Sequence, residues 1–331
     1  MKSIYAGLSL LPAVLAVSSA PSGCITVAKS GGDYSTIQAA VDSLSTSSSD
    51  DQCIFVSAGT YEEQVIVAER TAQLTIYGST TDDSSYSSNT VTISNGFSQA
   101  DGYNNEESAT LRIRADGFRL YNVNVENTYG EGSQAVALSS YADSGFYGSA
   151  FIGFQDTVLS NQGNQIYVDC KIEGATDFIF GQEAFSWFER VDIRVLARSI
   201  GYLTADGPEA SGDSYYVFND CDIAAADGES VTAGAYYLGR PWREYAQVVF
   251  QLTTMSSVIN SAGWAVWNSA DTRTDNVLFG EYDNTGAGAS GTRASFATAL
   301  SSAVSIADVL GSSYASASYF DSDYYSGSSS N

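Results

Sequence analysis

A degenerate strand pattern, recurring at intervals of about twenty to thirty residues, constrains this chain more than any other feature. Copies lie at 119–125, 145–151, 166–172, 187–193, 216–223 and 248–251. Each is an aromatic or aliphatic pair, then small or polar residues, then alternating apolar positions. Alternation of β-branched and aromatic side chains means strands. An ordinary β-sandwich would repeat its strands every 8–12 residues or so. The longer period here belongs to a solenoid whose coils bury their faces against one another. The expectation is therefore an all-β, right-handed parallel β-helix. On it, Cys170, Val191 and Cys221 occupy equivalent places in successive coils, which puts the two thiols about 9.6 Å apart, too far for a disulfide.

The ends read differently from the middle. Ser35-Thr36-Ile37-Gln38 has the form of a capping box, and Ile37, Ala40, Val41 and Leu44 make one apolar helical stripe. A short helix there would close the N-terminal end of the solenoid and shield its edge. Residues 293–300 and 305–310 are helical or irregular candidates. Residues 1–20 read as a secretory signal: Lys2, a short apolar run interrupted by Pro12, then the small residues Ser18 and Ala20. One domain is expected over 21–320, followed by a Ser- and Tyr-rich tail at 321–331 expected to be disordered. Cys24 and Cys53 each open an apolar strand-like run, and neighbouring strands would pair them as a disulfide.

The chain has no histidine. Ser-His-Asp and Cys-His catalysis are thereby excluded, and attention moves to carboxylates. Asp156 lies in Gly153-Phe154-Gln155-Asp156-Thr157, and Asp177, 21 positions later, in Thr176-Asp177-Phe178-Ile179-Phe180-Gly181. One coil of a parallel β-helix would stack them about 4.8 Å apart. Two carboxyls that close do not both ionise cheaply, so the pair offers a nucleophile or base beside a protonated acid. Read singly, each is a strand-ending Asp that caps a turn. Gln155 and, about one coil earlier, Gln134 bring neutral amide donors suited to an oxyanion, or else a structural glutamine ladder. Arg240, in Leu238-Gly239-Arg240-Pro241-Trp242, has the fork to hold one aspartate ionised. Trp242 beside it is either a platform for a sugar ring or core.

Together with Gly59-Thr60-Tyr61-Glu62-Glu63 and Gln134-Ala135-Val136, these segments resemble the five signature segments of pectin methylesterases, in the family's order, over about 25–320. The overall pattern is most similar to the fungal, secreted members. The resemblance implies that Asp177 attacks the methyl-ester carbonyl of a galacturonate residue. It makes Asp156 the group that protonates departing methanol and then activates water. Gln155 would stabilise the tetrahedral intermediate with Gln134 assisting or touching substrate, Arg240 would orient Asp177, and Trp242 and Phe180 would line the sugar groove. No metal or organic cofactor is implied. Two positions depart from the family pattern: Ser133 replaces a histidine common before the glutamine, and Ser149 replaces a cysteine, leaving Cys170 without that partner.

Other readings remain open at this level. A glycosidase on the same scaffold also uses paired carboxylates, but it builds oxocarbenium character rather than an oxyanion. A lyase would want an acidic calcium cluster and a strong base, and past the signal the only lysines are Lys29 and Lys171. A non-catalytic polysaccharide-binding solenoid would need the groove aromatics but neither aspartate. The formal charge of −24, one unit more negative without Lys2, argues against nucleic acid and anionic membranes as partners. It suits solubility outside the cell. An acidic protein working on an acidic polymer would prefer charge-masked stretches or low pH, which sets the expectation of an acidic pH optimum. The partner that the resemblance implies is methyl-esterified pectin, and the protein is expected to act as a monomer.

Overall fold

The computed structural model describes residues 17–326. Its strands pair in parallel throughout, in one 17-stranded and one 8-stranded sheet that wind as a parallel β-helix. The long strand Val158–Val168 bends from one face of the solenoid to the next and joins two faces into the larger sheet. The 8-stranded sheet forms the remaining face, from Gly59–Glu62 through Lys171–Gly174 to Thr254–Met255.

Register explains the recurring pattern. Phe146, Tyr167, Phe188, Phe218 and Phe250 are direct partners in successive coils. Their rings stack inside the solenoid at centroid separations of 4.3–4.7 Å. Immediately beyond each strand, the chain turns through the left-handed region at Asn122, Gly148, Asp169, Arg190, Asp220, Leu252 and Asp283, with φ between 48° and 54°. Asn, Asp and Gly tolerate that conformation, and they fill five of these corners. Arg190 and Leu252 hold it against their preference because the coils on either side impose it. Cys170 and Cys221 fall as the repeat predicts, both free and buried, two coils apart with Val191 in the coil between them.

The chain ends are capped. Helix Ile37–Ser43 buries Ile37, Ala40 and Val41 against the first coil. Its N-cap is Thr36, one residue later than the Ser35 box implies: Thr36 Oγ1 accepts from Ala39 N, and Glu63 of the next coil accepts from Ile37 N and Gln38 N. Cys24 and Cys53 form the expected disulfide, placed by the Ile25–Ile54 register. Residues 305–310 contain the helix Ile306–Leu310, whereas 293–300 contain a strand, Ala297–Ala299, added to the sheet edge.

The tail departs from expectation. Ser322–Tyr325 is a helical turn capped by Asp321, and Tyr324 is buried. Tyr319, Phe320 and Tyr324 pack with Ile306, Val309 and Leu310 over an outer face built from Tyr121, Tyr147, Ile166 and Trp187. Composition alone suggested disorder, but aromatic side chains with an apolar face to cover are ordered by it. Residues 327–331, and all but the last four of the expected signal segment, lie outside the described residues. Among the described residues no helix is long and apolar enough to cross a membrane.

Candidate active site

The turn leading from the 8-stranded face into the next face carries the two aspartates. Gln155 bridges Thr176 in parallel, and Asp156 N donates to Thr176 O at 3.1 Å, so Asp156 and Asp177 are one-coil neighbours. Both sit in the left-handed region, with φ of 66° and 49°. Aspartate tolerates that conformation, as at the corners of the solenoid. Each is only 7% exposed.

Electrostatics splits the pair. Burial first, and the Asp177 charge second, push the Asp156 carboxyl well above the ordinary carboxylate range, against the pull of Arg240. Burial raises Asp177 too, but its hydrogen bonds from Arg240 and that cation's charge oppose the rise. Arg240 grips Asp177 with two parallel bonds, Nε to Oδ1 at 2.9 Å and Nη2 to Oδ2 at 2.7 Å. Such a fork makes Asp177 the member that ionises and leaves Asp156 the proton.

The other residues singled out by sequence converge here. Ala135 N donates to Gln155 O, which stacks the Gln134 segment one coil before Gln155. Neither glutamine's side-chain amide bonds another described residue. Phe180, only 3% exposed, lies in a small buried apolar cluster with Ala109, Val136, Leu159 and Ala205, against which the half-buried Trp242 packs, its ring centroid 6.0 Å from that of Phe180. Gly239 makes the Arg240 turn possible: a Cβ there would come within 2.0 Å of Thr204 Oγ1.

Two residues of the site carried no sequence signal. The Arg240 guanidinium lies between the rings of Tyr202, at 4.0 Å, and Trp267, at 4.4 Å. Tyr202 in turn stacks on Tyr237, and Arg273 covers Trp267 at 4.8 Å while also bonding Trp242 O and Asp271. Tyr202 is an ordinary strand residue by pattern, and Trp267 comes from a loop 27 residues past Arg240. Only the stacking of coils unites them.

The two departures are absorbed locally. Ser133 Oγ accepts from Ala100 N, and Ser149 bonds Tyr147 O and Val123 N one coil from Cys170. Neither touches the carboxylates. Among the described residues no cluster of three or more His, Cys, Asp or Glu is arranged as a metal site.

A buried acid–carboxylate pair, a cation fixed on one member and glutamines with unengaged amides on the same and the preceding coil form an arrangement suited to acyl transfer. The pectinesterase family profile matches residues 24–321. A pectinesterase of Aspergillus aculeatus is 50% identical over 332 residues, covering 98% of this chain and 100% of that protein. The crystal structure of the pectin methylesterase from Aspergillus niger superposes with a TM-score of 0.87 at 44% identity, covering 94% of this chain and 100% of that one. The pectin methylesterase from carrot superposes at 0.81 with 29% identity, over 92% and 98% of the two chains.

Proposed function

The chain belongs to the pectinesterase family, and on that premise we propose that Asp177 is its nucleophile and Asp156 its acid and base. The activity is hydrolysis of carboxylic methyl esters in pectin. Ionised Asp177 attacks the galacturonate carbonyl carbon. The negative oxygen that forms meets the Gln155 amide, with Gln134 beside it. Collapse breaks the C–OCH3 bond, and methanol leaves with the proton of Asp156. Asp156, now a carboxylate, takes a proton from water as that water attacks the acyl-enzyme. This frees the galacturonate carboxyl and restores both aspartates. One water is consumed and one methanol released.

The observation that carries the assignment is the Arg240 fork on Asp177 and not on Asp156. Trp242 serves as the groove wall on which a sugar ring stacks, backed by the buried Phe180. The signal-like N-terminus and the Cys24–Cys53 disulfide support secretion, since disulfides persist in oxidising compartments. We take the working form to be a monomer.

Highly methylated pectin is the substrate to test. Methanol and acid should appear without new reducing ends; reducing ends without methanol would instead identify a glycosidase. Asp177→Asn should abolish turnover while polymer binding persists, and near-normal turnover in that variant would refute the nucleophile assignment.

A further inference from the structure

One buried carboxylate takes no part in the chemistry above. Asp206 ends the strand Gly201–Asp206, in register with Gly181, and is fully buried. Its Oδ1 accepts from Ser214 Oγ at 2.7 Å and its Oδ2 from Gln247 N at 2.7 Å. Its own carbonyl accepts from Trp242 N at 2.9 Å. One residue therefore closes both ends of the turn 242–247. The next residue, Gly207, leaves bare backbone where a Cβ would lie 2.8 Å from Trp242 Cβ, so the tryptophan lies directly on it. On its other side Trp242 faces Phe180.

We propose that Asp206 is a positioning residue that clasps the turn 242–247 and so fixes Trp242 in the groove wall. The proposal rests on the reading of Trp242 as a surface for the pectin chain. The clasp needs acceptor atoms, not charge. Burial pushes the Asp206 carboxyl up to about 7, against the pull of Gln247 N–H, Ser214 Oγ–H and Gly207 N–H. Protonated, Asp206 still accepts from Gln247 N and donates to Ser214 Oγ, whose own hydrogen then goes to Ala184 O at 3.0 Å. An asparagine reproduces that second pattern, with its oxygen toward Gln247 and its amide toward Ser214. An alanine reproduces neither and leaves the Gln247 N–H without its acceptor.

The test uses the whole protein on methylated pectin, with kcat and KM measured separately. Asp206→Ala should raise KM by about tenfold, since a displaced groove wall costs binding, with kcat within threefold of wild type. Asp206→Asn should stay within twofold for both constants. Ser214→Ala, which spares the Gln247 contact, should lower the melting temperature without moving KM. Should Asp206→Ala fail to fold, Gln247→Pro tests the same contact. It deletes only that donor at the first residue of a strand, where proline is tolerated, and should raise KM equally. Wild-type KM in the folded Ala variant or in the Pro variant would overturn the clasp. So would equal damage from Asn and Ala. Trp242→Ala separates the premises: if it leaves KM unchanged, the groove reading fails, whereas a raised KM there with a normal KM in Asp206→Ala defeats the clasp alone.

Discussion

Arg240 and Asp177 meet through two parallel hydrogen bonds, of 2.9 and 2.7 Å, while the guanidinium lies between the rings of Tyr202 and Trp267. The fork fixes the carboxylate's plane, and the rings fix the fork's. Pre-organisation of the Asp177 carboxylate thus joins four residues on different coils, 177, 202, 240 and 267.

Arg240→Lys keeps the charge but loses both the bidentate geometry and the stacking. It should lower kcat by about a hundredfold, as a misplaced nucleophile does, with little change in circular dichroism. Tyr202→Phe should retain activity and Tyr202→Ala should not. Methanol release under saturating substrate measures all three, and a wild-type kcat for Arg240→Lys would remove Arg240 from the mechanism.

The proposed mechanism needs Asp177 ionised and Asp156 protonated. The rate should fall as pH drops through the Asp177 pKa, which neutralises the nucleophile. It should fall again as pH rises through the elevated Asp156 pKa, which removes the acid. The profile of kcat/KM is then bell-shaped, with its optimum between those two values. A rate still climbing above neutrality would contradict the division of roles.

Asp156 also bears on stability. Its folded pKa is raised, so the folded state binds the proton more tightly than the unfolded chain. Its stabilising effect is complete below the unfolded value of about 4 and is lost as pH rises toward the folded one. Asp156→Asn escapes that loss. The variant should be inactive yet more stable at neutral pH, by on the order of 1 kcal/mol, with the gap closing in acid. Denaturant melts at pH 4 and pH 7 measure it, and a variant less stable at pH 7 would count against a buried charge cost.

The Cys24–Cys53 bond closes a span of 29 residues at the first coil, away from the aspartates. Replacing both cysteines by serine should cost about 3–4 kcal/mol, mostly through the unfolded chain, and leave kcat unchanged at 25 °C. A melting temperature indifferent to reductant would refute this.

Much of the site was legible because a solenoid turns sequence spacing into distance. Once the period was read, 21 residues between Asp156 and Asp177 became one coil, and the glutamines followed. Local signals were less reliable at the ends. The helix cap slipped from Ser35 to Thr36, because Glu63 from another coil supplies acceptors that no local pattern contains. The stretch 293–300 holds a strand because the last sheet edge was open to pairing.

What the sequence determined by itself was periodic or chemical: the coil, the disulfide register, the acid pair, and the absence of histidine. The residues read singly left open which aspartate Arg240 grips, and the resemblance pointed to Asp177; the tertiary structure shows the grip itself, because Arg240 returns to Asp177 63 residues later. It alone put Tyr202 and Trp267 around that arginine, Asp206 beneath Trp242, and the tyrosine-rich tail on the outer face. The physical reason is the same in each case. A repeat encodes contacts between equivalent positions, whereas these contacts join positions that are not equivalent and are chosen by burial and shape when the coils and their loops pack.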